Sequence, residues 1–236
     1  MHTFDPKTAN IRYHFLPSNN ATLYCKFSRK HGVDVRKQPQ YNIDDWLNPA
    51  SPDFKQEIQD AVFHYSARSD AGERFQICLS TSEMDAAAWK YGHQSQIILD
   101  GTFGVCSTRL LLFIALAVDE HGKGVPIAFF LFSAPSGNRA THAGYNTAIL
   151  RELLSHWKTH LSCNSTVQFT PYVAITDTDT KERGALLDVW PCICLLICKF
   201  HLRQCWTNHR KKVLRCGGVE FWKDHVRNQL RGLEVQ

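Results

Sequence analysis

The chain has 236 residues, 44% hydrophobic and 21% charged, a globular composition large enough for one substantial core. Its formal charge of +5 is compatible with a polyanionic partner but too small to demand one. Nine cysteines, an odd number, follow an opening that holds His2, Asp5 and Lys7 and no apolar leader, so reduced core thiols are expected rather than a disulfide scaffold.

Residues 1 to about 50 read as polar and irregular, the tail end of something larger or a linker, punctuated by Pro6, Pro17, Pro39 and Pro49. Ser51-Pro52 then opens a helical pattern reaching about Ser66, with Phe54, Ile58, Val62 and Phe63 at helical spacing. A second helix is expected over Thr81–Gly92, with Met84, Ala87, Ala88 and Trp89 as its apolar face. Ser95–Phe103, Leu110–Val118 and Val125–Phe132 read as three strands with short connections, an antiparallel meander. The longest apolar run, Arg109–Val118, breaks at Asp119-Glu120 and is too short to span a bilayer, so no membrane role is expected. Tyr145, Ile149, Leu153 and Trp157 recur every four residues, an amphipathic helix widened by Ala148, Leu150, Leu154 and Leu161. Tyr172–Asp177 is the next strand. Asp179 or Thr180 caps a helix to about Val189, which Pro191 ends. Cys194–Cys198 is a fifth strand and Phe200–Leu214 a basic helix. The order β-β-β-α-β-α-β-α predicts a mixed sheet covered by helices.

Asp100 and Asp177 each end an apolar strand. Ile98, Asp100 and Thr102 share one strand face, and Ile97, Leu99 and Phe103 the other. A right-handed crossover lets Tyr172–Asp177 pair in parallel with a strand of the meander, and beside the first strand the two carboxylates meet. Paired hard oxygen donors suit Mg²⁺ or Mn²⁺. Asp-Gly and Thr-Asp-Thr-Asp are equally ordinary turn sequences, and that reading stands beside the first. Asp179 and Glu182 read as helix-capping and surface groups, and Glu120 as a turn residue.

Cys198, His201, Cys205 and His209 lie along one side of the last helix. One straight helix cannot wrap a metal, so a structural zinc on Cys198 and His201 would need donors such as Cys192, Cys194 or Cys216. The stronger expectation is that His201 orients a carboxylate or contacts DNA. Lys199, Arg203, Arg210, Lys211, Lys212 and Arg215 follow one another with no acidic residue between, a set suited to phosphate contacts or to a solvated helix face. Trp206 on the same helix is expected to pack on the sheet rather than stack on a base.

Asp100-Gly-Thr-Phe103, the meander, Ala174-Ile-Thr-Asp177, Glu182-Arg-Gly-Ala-Leu-Leu187 and Leu195-Leu-Ile-Cys198-Lys-Phe-His201-Leu-Arg-Gln204 together resemble the transposase domain of Mutator-like elements (MULE). The resemblance runs from about Met84 to His209, and Trp89-Lys-Tyr-Gly-His93 also fits it. It implies an α/β, ribonuclease-H-like fold: a mixed five-stranded sheet flanked by helices, with an N-terminal partly helical extension. The implied divisions are an extension over 1–92, the core over 93–215 and the start of a truncated helical insertion over 216–236. It also implies a nuclear protein acting on DNA, cutting and joining strands with an Asp-Asp-Glu triad and Mg²⁺ or Mn²⁺. By position the aspartates are Asp100 and Asp177, and the Cys-x-x-His pair that follows the second is Cys198 and His201. The glutamate of such enzymes lies beyond a helical insertion. After Glu182 only Glu220 and Glu234 remain, neither in a fitting context. A truncated copy is expected, inactive in cleavage and joining, with a non-catalytic DNA-binding or protein-interaction domain as the alternative. A ribonuclease-H-like hydrolase of RNA would need a third carboxylate within the chain. Phe221, Trp222, Val226 and Leu230 predict an apolar face through which the chain self-associates.

Overall fold

The computed structural model describes residues 17–67, 74–103, 110–134, 145–163 and 165–214. Seven strands form one open, mixed sheet in the order β1-β2-β5-β4-β3-β6-β7. These are β1 Val62–Ser66, β2 Gln76–Leu79, β3 Gln96–Phe103, β4 Leu110–Val118, β5 Gly124–Ser133, β6 Val173–Thr176 and β7 Cys194–Ile197. The flanking helices are α1 Pro17–Lys30, α2 Pro39–Leu47, α3 Gln56–Ala61, α4 Ser82–Ala87, α5 Thr147–Ser162, α6 Thr180–Val189 and α7 Lys199–Leu214. A π-helical turn, Ala88–Gly92, extends α4. Arg215 and residues 216–236, with Glu220, Glu234 and the apolar set Phe221, Trp222, Val226 and Leu230, lie outside the described residues.

The architecture agrees broadly with a ribonuclease-H-like sheet but corrects the strand count from five to seven. Both added strands come from the stretch expected to be an irregular and helical extension. The helical pattern after Ser51 survives only in α3, because Val62-Phe-His-Tyr65 is β-branched and aromatic and finds a partner strand. β1 pairs antiparallel with β2, with Tyr65 opposite Ile77, and β2 pairs antiparallel with β5. The first 50 residues are likewise not all linker: Pro17 and Pro39 start α1 and α2, a position where proline loses no hydrogen bond.

The chain divides into two compact units. In the first, formed by residues 1–85, 101–113 and 128–145, Ile43, Phe75, Ile77 and Leu110 make a core onto which Trp46, Leu47 and Tyr65 pack. Phe113 stacks on Phe132 with ring centroids 5.9 Å apart. Gly101 is required beneath that ring, since a Cβ there would lie 2.7 Å from Phe113. The Asp-Gly dipeptide is therefore strand, not turn.

The second unit comprises residues 86–100, 114–127 and 146–236. Its core is the apolar stripe of α5 together with an aromatic cluster. Trp157 and Phe169 ring centroids are 5.2 Å apart, and Trp157 meets Trp190 edge-on at 6.1 Å. The Trp190 indole donates to the Phe169 carbonyl at 3.0 Å, which satisfies its buried N–H. Asn146 caps α5 by accepting from the Ile149 amide at 3.1 Å. Asp179 caps α6 by accepting from the Lys181 amide at 2.8 Å, which is the capping role expected of it. α6 lies close on α5: a Cβ on Gly184 would stand 3.2 Å from Thr147. At the other end of α6, the Lys158 ammonium donates to the Val189 carbonyl at 3.1 Å. α6 is thus fixed at both ends and along one side.

Candidate metal centre and nucleic-acid face

β3 and β6 are parallel neighbours, with Ile97 opposite Ala174 and Ile98 opposite Ile175. The register runs as far as Ile98 and Ile175; Asp100 lies two residues further along β3, and Asp177 just past the end of β6. The pleat puts Ile97, Leu99, Ala174 and Thr176 on the fully buried face, while Asp100 and Asp177 share the half-buried one. Asp177 lies just past the end of β6, where one of its oxygens accepts from the Thr178 hydroxyl and from the Asp179 amide, both at 3.0 Å. Those bonds hold a carboxylate at the sheet edge without a cationic side chain.

β6 also pairs in parallel with β7, and the Cys198 amide donates to the Thr176 carbonyl at 2.7 Å as the chain turns into α7. This brings the first turn of α7 to the acidic pair. His201 Nε2 lies 3.9 Å from Asp100 Oδ1, beyond hydrogen-bond range but close enough for an ion pair when the imidazole is protonated. Cys198 and His201 are both half-buried, whereas Cys192 and Cys194 are exposed. Among the described residues no third cysteine or histidine converges with Cys198 and His201.

A groove of about 440 Å³ runs from Asp177 and Thr178 along α7, past His201, Gln204, Asn208 and His209 to Lys212. His201, Gln204, Cys205 (which also lines the groove) and Asn208 follow the i, i+3, i+4, i+7 pattern of a packing stripe, and all but Cys205 are polar. Lys199, Arg203 and Lys211 are exposed and Arg210 half-buried on the same helix; Trp206 is half-buried.

Glu182 is the residue whose burial the sequence did not lead one to expect. It was expected at the surface and is only 1% exposed. Its Oε2 atom is buried without a hydrogen-bond partner among the described residues. Burial pushes its carboxyl up to about 8, assisted by the charges of Asp177, Asp179 and Asp100, and only a hydrogen bond with Thr176 opposes the rise. The signal was present in the sequence: Glu182, Ala185, Leu186 and Val189 form one helical stripe, and all four are buried.

A family model, the MULE transposase domain, matches residues 96–205. The matched stretch begins at β3, contains Asp100, Asp177, Glu182, Cys198 and His201, and closes within α7. No curated protein matches the chain significantly. Among the described residues no helix is long and apolar enough to cross a membrane, and the MULE domain accords with a protein that acts on DNA.

Proposed function

We propose that this MULE domain, within the core spanning 93–215, binds DNA along α7 in the nucleus and holds a divalent cation, Mg²⁺ or Mn²⁺, at Asp100 and Asp177. The reading is supported by the parallel β3–β6 pairing, which runs toward both aspartates, and by the groove that Asp177 lines together with α7. The donor set is hard oxygen, the type such an ion takes. Bound there, the cation would supply positive charge to the oxygens of a phosphodiester. His201 orients Asp100, and Lys199, Arg203, Arg210, Lys211, Lys212 and Arg215 contact the backbone. The parent family cuts and joins strands. The function proposed for this chain is the DNA-binding part of that activity, carried by α7.

Fluorescence anisotropy with duplex DNA over a salt series tests this. Affinity should fall steeply with salt. Lys211→Ala/Lys212→Ala should flatten the log–log slope by about 2, since each lost phosphate contact removes roughly 0.9. Salt-insensitive binding, or an unchanged slope in the double variant, contradicts the assignment of α7.

A further inference from the structure

The sheet ends on β7, and among the described residues nothing pairs with the outer edge of that strand. Its inner edge is complete. The Cys194 amide donates to the Tyr172 carbonyl at 2.8 Å, and the Cys198 amide to the Thr176 carbonyl at 2.7 Å. Backbone groups alternate sides along a strand, so Leu195 and Ile197 turn both their amide and their carbonyl outward. The side chains do not shield them. Leu196 is 47% exposed and Ile197 44%, and as neighbours they point to opposite faces of the sheet. Edge strands are ordinarily guarded by charge, by proline or by a bulge. From Cys192 to Cys198 there is no charged residue and no proline, and β7 follows β6 in unbroken register.

The spacing of the outward groups identifies what fits them. Facing residues of antiparallel strands exchange a pair of hydrogen bonds at every second position. With a second β7 laid antiparallel on the first and the two-fold axis at Leu196, Leu195 of each copy faces Ile197 of the other. Every outward amide and carbonyl then has a partner. An axis at Leu195 would require the amide of Ile193, which already donates to the Trp190 carbonyl at 3.0 Å. An axis at Ile197 would require Lys199, which begins α7. The edge is therefore self-complementary in one register, as an isologous contact demands. In that register Leu196 meets its own copy in a non-hydrogen-bonded pair, where side chains approach most closely.

We propose that β7 pairs antiparallel with the β7 of a second copy of this chain, joining the two sheets across a two-fold axis at Leu196. The contact is short, so the dimer should dissociate on dilution. Sedimentation velocity of the full chain over a concentration series, under reducing conditions, tests this, with circular dichroism as the check on folding. Wild type, Leu196→Lys, Leu196→Glu and an equimolar mixture of the two variants are compared. Both substitutions replace an exposed side chain and set like charges opposite each other across the axis. Wild type should dimerise, each variant alone should associate roughly tenfold or more weakly, and the mixture should recover, since lysine then faces glutamate. Wild type that stays monomeric at every concentration overturns the proposal. A dimer that both variants leave intact overturns it too and assigns self-association to another face. Loss in both variants without recovery on mixing overturns the register. Should a variant fail to fold, wild type oxidised with diamide decides the matter. The register brings Cys194 of one copy opposite Cys198 of the other at a Cα spacing of about 4.5 Å, which a disulfide spans. Mass spectrometry should find that interchain pair; its absence from the oxidised protein overturns the proposal.

Discussion

α5 and α7 are both sixteen-residue helices in the same unit, and they use the same periodicity for opposite ends. α5 turns Ile149, Leu150, Leu153, Leu154, Trp157 and Leu161 inward, all buried. α7 lays His201, Gln204, Asn208, His209 and Lys212 along a groove that begins at Asp177. A helical stripe fixes which residues share a face; its chemistry decides whether that face meets a core or a ligand. α6 stands between the two cases. Its stripe is apolar except for Glu182, and that exception lies against the acidic edge.

The comparison breaks most readily at Trp157. Trp157→Ala should destabilise the protein by about 3–5 kcal/mol, as deletion of a large buried aromatic does. Asn208→Ala, on the α7 stripe, should change stability by no more than about 0.5 kcal/mol while weakening DNA binding. Urea denaturation of both variants measures this, and comparable destabilisation by the two would erase the distinction between packing stripe and ligand stripe.

The next effect lies in α6 and depends on pH. Glu182 has a folded-state pKa of about 8 against an ordinary value of 4.5. Between those values the folded form keeps a proton that the unfolded chain has released, so stability falls as pH rises through that window. Glu182→Gln removes the effect. In the absence of divalent metal the variant should match wild type near pH 4.5 and exceed it by roughly 1–3 kcal/mol near pH 8, less than the full shift implies because the amide is itself buried. A stability difference that does not grow with pH would show that Glu182 is not the strained group described above. The smallest effect sharpens the account of α5: Asn146→Ala should cost about 1 kcal/mol through loss of its cap to the Ile149 amide, seen as a lower midpoint at unchanged denaturant slope.

Much of the second unit was legible because its signals are local. The four-residue recurrence of Tyr145, Ile149, Leu153 and Trp157 marked α5, Asp179 marked the start of α6, and apolar runs ending at Asp100 and Asp177 marked β3 and β6. β1 and β2 were not legible, since Val62 and Phe63 continue a helical spacing and become strand only through pairing with distant residues. The Asp100-Gly101 dipeptide was ambiguous for the same kind of reason: its place inside β3 comes from strand pairing, and its glycine from the ring of Phe113, neither of which sequence spacing reveals. Glu182 was misassigned because an acid near a helix start is normally solvated, and only its place in the stripe with Ala185, Leu186 and Val189 told otherwise.

The central claim joins the aspartate pair to the α7 groove through a cation, and linkage makes it testable in one titration. Duplex DNA affinity at fixed ionic strength should rise severalfold when Mn²⁺ replaces chelator, and DNA should raise Mn²⁺ affinity by the same factor. In Asp177→Asn, with its fold confirmed, the response to Mn²⁺ should vanish while metal-free DNA binding by α7 persists. An equal Mn²⁺ response in wild type and Asp177→Asn, or none in either, would contradict the account.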